Sequence, residues 1–246
     1  MFASSKPKPL RDVRYFESDE PPRPGESMPG YTSELYSFPK GAVALGQRIG
    51  MKCEELGISI GRADHLYVCV TPSLPATTIE LSEYTREPWH RFVVCGLSYD
   101  FNTLTDERRL EAVTDLTFKA LHLLVPDATA ALDSLSQMIK SEGEALRVQI
   151  KYKETQKLLI HVEQNVAVHP RHTEIFVRVT NRQKQLTKET KVAEVRFYDE
   201  ASSLVDRISI TNNLLTIHPR KSFRASLITA NYHVPIQLDL AELGVA

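Results

Sequence analysis

Leu146-Arg147-Val148-Gln149-Ile150-Lys151-Tyr152-Lys153 alternates apolar and polar side chains along its whole length. A period of two marks a strand with one buried face and one wet face, and the wet face here is basic. The chain beyond it keeps strand character. A turn at Glu154-Thr155 leads into Leu158, Ile160 and Val162, and Ile175, Val177 and Val179 mark another strand. Arg182–Lys191 is polar and reads as a loop. Strands are expected around Val192–Tyr198, Ile208–Ile210, Leu214–Ile217, Phe223–Thr229 and Val234–Leu240. Asn212-Asn213 tolerates left-handed backbone and predicts a tight hairpin. Residues 145–246 are therefore expected to form an antiparallel β-meander, with a core of their own or one shared with the preceding part.

Upstream the period changes to that of helices. Thr105 is a good N-cap for a helix to about residue 124, with Asp106 and Glu107 where the helix dipole favours them. Leu110, Val113, Leu116, Ala120, Leu121 and Leu124 make its apolar stripe. Pro126 ends it. Asp127 reads as the cap of a second helix, which runs to about residue 142 and stops at Gly143. Before this pair lie three apolar, β-branched runs: His65–Val70, Thr77–Leu81 and Phe92–Leu97. The last is continuously apolar, as expected of a strand buried on both faces. Residues 41–57 predict another helix, with Gly57 as its stop. Its Gly46 and Gly50 lie four apart and would admit close approach of another element. Residues 1–40 hold Pro7, Pro9, Pro21, Pro22, Pro24, Pro29 and Pro39, and predict an extended arm. The aromatic residues Tyr15, Phe16, Tyr31, Tyr36 and Phe38 imply that this arm packs on a surface. The expected fold class is α+β: N-terminal strands with a helix pair over residues 41–144, then the meander.

Charge and cysteine usage narrow the function. Net charge is −1, so nothing global draws the chain to nucleic acid or an anionic membrane. Residues 1–144 carry 15 Lys/Arg against 21 Asp/Glu, and residues 145–246 carry 15 against 10. The second half could thus meet an acidic partner. Cys53, Cys69 and Cys95 are odd in number and widely spaced, which argues against a disulfide framework and for a reducing compartment. Lys6, Lys8, Arg11 and Arg14 are followed by no apolar stretch of secretory type. No apolar run approaches the roughly 18 residues of a membrane span. A cytoplasmic protein is expected.

Catalytic signatures are few. No phosphate-binding P-loop or dinucleotide loop is present. Gly57-Ile58-Ser59-Ile60-Gly61 matches the G-x-S-x-G string of hydrolase elbows, but that serine must sit between a strand and a helix. Here the string follows a helix and precedes strands, so Ser59 is not expected to be a nucleophile. His169 and His172 flank Pro170-Arg171 in a loop, while His122 and His161 stand apart, and none has the spacing of a zinc site. No catalytic residue, metal set or cofactor is expected. Lys151, Lys153, Arg178, Arg196 and Arg224 are the candidate partner-binding cations. Phe176 and Phe223 near them suggest single-strand binding, but strand alternation turns the aromatic rings away from the charges.

One stretch carries a family resemblance. Pro88-Trp89-His90-Arg91-Phe92-Val93-Val94-Cys95-Gly96-Leu97, then Tyr99-Asp100-Phe101-Asn102, then Asp106-Glu107-Arg108-Arg109 opening a helix to Ala120-Leu121, resembles small bacterial immunity-type proteins that neutralise toxins. It covers about residues 88–121. The resemblance implies a non-enzymatic protein that binds and blocks a toxin. The alternatives are an accessory subunit of a larger bacterial assembly, associated with nucleic acid, and an enzyme of unrecognised type.

Overall fold

The computed structural model describes residues 7–32 and 34–245, so the first six residues of the expected arm, Ser33 and Ala246 lie outside it. The fold is α+β, and the chain divides into two compact units, Met1–Gly143 and Glu144–Ala246.

In the first unit, strand β1 (Asp12–Glu17) pairs with β2 (Gly30–Tyr31) on one side. The chain then runs through helix α1 (Ala42–Leu56) into β3 (His65–Thr71), which lies parallel to β1. β4 (Ile79–Leu81) forms the far edge, antiparallel to β5 (His90–Gly96), and β5 is parallel to β3. The sheet order is β2-β1-β3-β5-β4, so the apolar run at 92–96 does occupy an inner strand. The segment expected as an arm is extended but built into this sheet as an inner strand. Leu10, Val13, Tyr15 and Phe16 are buried, because a parallel strand in mid-sheet is covered on both faces.

Further contacts hold the rest of that segment. The Glu17 carboxylate accepts from the backbone N–H groups of Glu34 (2.5 Å), Leu35 (3.0 Å) and Tyr36 (3.1 Å). Asn102 accepts from the Ser37 N–H at 2.7 Å and donates to the Leu35 carbonyl at 2.9 Å. Tyr36, fully buried, stacks on Tyr99 and meets Phe101 edge-on.

α1 lies directly on β1. A methyl group at Gly46 would stand 2.3 Å from the Val13 carbonyl oxygen, and one at Gly50 would stand 2.6 Å from that of Arg11. The Gly-x-x-x-Gly spacing therefore does admit another element, and that element is β1. Gly57 ends α1 in the left-handed region (φ 69°), where its N–H and that of Ile58 return to the last turn. The Ser59 hydroxyl donates to the Lys8 carbonyl (2.6 Å) and accepts from the Gly61 N–H (3.1 Å). It closes a turn onto the N-terminal segment.

Two helices complete the unit. α2 (Asp106–Leu124) starts at Thr105, whose hydroxyl accepts from the Arg108 N–H as a cap. The Tyr15 hydroxyl meets Thr117 at 3.0 Å inside the core. α3 (Thr129–Glu142) departs from expectation at its start. A 3₁₀ turn, Pro126–Ala128, intervenes, and Ala128 is the N-cap, without a side-chain bond. Asp127 is thus not the cap, because Pro126 tightens the chain one turn too early for it.

The second unit opens with a four-stranded antiparallel meander: β6 (Val148–Glu154), β7 (Leu158–Gln164), β8 (Thr173–Asn181) and β9 (Leu186–Val195). After the short helix α4 (Ala201–Leu204), β10 (Arg207–Thr211) and β11 (Leu214–His218) form a hairpin across Asn212 (φ 50°) and Asn213 (φ 65°), as the sequence predicts. Helix α5 (Phe223–Thr229) precedes β12 (Ile236–Asp239), which joins β11. Ile160, Val177, Val179, Leu204, Ile217 and Ile236 share one apolar core.

Two expectations fail here. Arg182–Lys191 is mostly strand, since β9 begins at Leu186; its charged side chains suit an edge strand with a wet side. Phe223–Thr229 is a helix rather than a strand. The Ser222 hydroxyl accepts from the Ala225 N–H, and this cap outweighs the β-favouring Phe, Ile and Thr that follow.

The α1–β1 contact generates a test of the fold. Gly50→Ala should lower unfolding free energy by about 2–3 kcal/mol through overpacking against β1 backbone. Gly30→Ala, where an added methyl meets nothing within 4 Å, should be near neutral by comparison. Urea denaturation of the two variants measures the difference.

Candidate functional site

Whether the five candidate cations form one surface depends on the register of the meander. Directly opposed residues in an antiparallel pair share a face. Val162 and Ile160 point into the core, and their β6 partners are Lys151 and Lys153. Between Gln149 and Lys151 the register slips by one residue, a β-bulge at Ile150. The bulge reverses the alternation read from residues 146–153. Tyr152, not the two lysines, joins His161 and Arg178 on the outer face. Lys151 and Lys153 lie half-buried along the core side of the edge strand.

The outer face is also not basic. Arg178 donates to Glu163 at 2.5 Å, and Lys191 reaches both Glu174 (3.1 Å) and Glu194 (2.7 Å). The Arg147 guanidinium lies over the buried Phe176 ring and within 3.9 Å of Glu189. These pairs neutralise the face. Arg196 follows β9 and sits 5.1 Å from the Phe197 ring, while Arg224 is on α5. The five cations therefore occupy three different settings: two on the core side, one in an ion pair, and two elsewhere and exposed.

A better candidate surface surrounds Arg224. From Arg207 to Leu238 the chain contains no Asp or Glu, but it holds Arg207, Arg220, Lys221 and Arg224. None of the four has an ion-pair partner among the described residues. Arg207 and Lys221 both bear on His218 and, with burial as the larger cause, lower its pKa. At this surface α5 turns Ala225 inward, while Phe223 is 82% exposed and Leu227 59% exposed. One helical turn apart, they make an apolar ridge on α5, the helix that also carries Arg224. Phe176 is buried as expected, but Phe223 is not, because the strand alternation that hid it does not apply to a helix.

The first unit holds a second constellation, which sequence reading passed over. On the sheet face bearing Phe16, Tyr67, Cys69 and Phe92, the starts of β1, β3 and β5 bring together Asp12, Arg14, His65, Tyr67 and His90. His65 Nδ1 is 2.6 Å from Asp64, and its Nε2 is 3.6 Å from Asp12. Arg14 Nε donates to Asp12 at 2.7 Å. The Tyr67 hydroxyl lies 3.1 Å from His90 Nε2, while His90 Nδ1 is buried without a hydrogen-bond partner. Burial, then the neighbouring His65, lowers the His90 pKa. The Tyr67 pKa is raised, chiefly by burial. A phenol held protonated beside a neutral imidazole is a stable structural pair rather than an activated nucleophile. Alternation along the strands could have shown that His65 and Tyr67, and His90 and Phe92, each share a face. The parallel register that unites them has no local signal. Among the described residues no group of three or more His, Cys, Asp or Glu is placed to hold a metal.

Burial pushes the Cys53, Cys69 and Cys95 thiols up to about 12, so they serve the core rather than redox chemistry. No helix among the described residues is long and apolar enough to cross a membrane. No protein-family model, curated protein or solved structure matches the chain.

The His90 environment has a pH signature. The native pKa lies below the unfolded value of about 6.5, so the unfolded chain takes up the proton first. The stabilising contribution is complete above that pH and is lost as pH falls through the native value. Wild type should lose more stability between about pH 7.5 and pH 5 than His90→Asn, measured by urea midpoints. Equal losses would remove His90 from the account.

Proposed function

We propose that this protein is a non-enzymatic binding module that takes an acidic protein partner on the surface around α5. The observation that carries the reading is the exposed Phe223–Leu227 ridge, set in a segment with four unpaired cations and no carboxylate. Interfaces draw most of their affinity from a few apolar or aromatic anchors, and complementary charge adds on-rate and selectivity. α5 offers both within two turns. A partner with an apolar groove rimmed by Asp and Glu fits this surface.

Blocking a toxin is the form of this role that the resemblance over residues 88–121 suggests. A tight inhibitor needs anchors and charge rather than a catalytic string, which agrees with the structural roles of Ser59, His65 and His90. The accessory-subunit reading, with nucleic acid as ligand, has one supporting feature, the cations flanking exposed Phe223. Single-strand binders present several aromatic rings in series, and here the second apolar residue is Leu227, which cannot stack on a base.

Affinity capture from native lysate, with wild type and surface variants in parallel, tests the proposal. Wild type should retain one stoichiometric protein, released as salt is raised. Phe223→Ala should weaken retention by about thirtyfold or more, as loss of an interface anchor does. Arg224→Glu should weaken it further at low salt. Identical capture by all three would sink the reading, and a nuclease-sensitive ligand in place of a protein would replace it with the accessory-subunit role.

A further inference from the structure

A cavity of about 310 Å³ opens in the first unit where β5 ends, between the 76–77 loop, the 3₁₀ turn Tyr99–Thr103 and α2. Open α/β sheets bind ligands at the carboxyl ends of their parallel strands, and β5 is one of three parallel strands here. The cavity floor is apolar, formed by Leu97, buried Phe101 and Leu116, with partly exposed Leu104 at the lip.

The loop over this cavity is held in a costly shape. Thr77 has φ 68°, a left-handed conformation that β-branched residues rarely adopt. Two hydrogen bonds fix it there: Thr77 N–H to the Gly96 carbonyl at 3.0 Å, and Gly96 N–H to the Thr78 carbonyl at 2.8 Å. The loop lies so close that a methyl group on Gly96 would stand 2.0 Å from the Pro75 carbonyl oxygen. Strain of this kind persists only where the surroundings over-determine it, and it concentrates at ligand clamps.

Three charged residues line the cavity. Asp115 is occupied by Lys140, at 2.7 Å. The Asp100 carboxylate and the Lys119 ammonium have no ion-pair or side-chain hydrogen-bond partner among the described residues. One free anion and one free cation thus border an apolar floor. The cavity volume is at the small end for ligand sites. A compact zwitterion with an apolar side chain complements all three features.

From this we infer that the pocket at the end of β5 binds a small apolar α-amino acid. Asp100 receives its ammonium, Lys119 its carboxylate, and Leu97, Phe101 and Leu116 its side chain. This site lies in the first unit and is independent of the proposed protein-binding surface on α5.

L-leucine, titrated into the full chain by calorimetry and ligand-detected NMR, is the direct probe. Saturable binding is expected, and its absence at about 20 mM ligand overturns the inference. Asp100→Asn and Lys119→Met, both at exposed positions, should each weaken binding about tenfold or more, as loss of a charged hydrogen bond does. Ala112→Phe, which fills the cavity from α2, should abolish it. Isoamylamine and 4-methylpentanoate each lack one of the two charged groups and should bind at least tenfold more weakly than L-leucine. Unchanged affinity in the variants, or equal affinity for the three ligands, would show that the charges do not recognise a zwitterion and would refute the assignment. Loss of leucine binding would leave capture by α5 intact, so failure here is distinguishable from failure there.

Discussion

The approach of α1 to β1 through Gly46 and Gly50 is the constraint on which the first unit rests. Each glycine stands where any side chain would collide with strand backbone, so helix and strand meet at a distance only these residues permit. That contact turns a Pro-rich terminal segment into an inner strand. Once β1 is in place, β3 can pair on one side and β2 on the other, and Tyr15 can reach Thr117 on α2. Glu17, at the end of β1, then gathers three backbone amides of the returning chain. Buried carboxylates are tolerable when several donors face them, and here the donors also fix the path of residues 34–36.

In the second unit the organising event is a single extra residue. The bulge at Ile150 moves Lys151 and Lys153 to the core side and brings Tyr152 out. The outer face then carries Arg and Lys in near balance with Glu, most of them paired. Such pairs contribute little to stability at the surface, but they leave the face without a field to attract a partner. The unbalanced charge lies instead at 207–238, a stretch of sequence without Asp or Glu, which the Glu200 carboxylate meets at the Tyr232 hydroxyl (2.6 Å). Net charge over a hundred residues had hidden this, because the meander and the α5 segment were summed together.

Much of the architecture was legible in the chain. The two helix stops at Gly57 and Gly143, the Thr105 cap and the Asn212-Asn213 hairpin all rest on local chemistry, and each stands where it was expected. The errors are of another kind. Phe223–Thr229 has a strand-like composition, but a serine cap made it helical. Arg182–Lys191 has loop-like polarity, but pairing with β8 made most of it strand. In both, an interaction outside the composition of the segment outweighed its intrinsic preference.

The sequence by itself determined the fold class and the order of most elements, because periodicity, caps and turn residues act within a few positions. Only the tertiary structure decided which side chains share a surface. A one-residue bulge inverts a strand's two faces, parallel pairing unites His65 with His90 across the chain, and a cavity appears where three separate segments meet at the end of β5. Each of these depends on register between distant residues, and register is set by the packing of the whole unit rather than by any stretch within it.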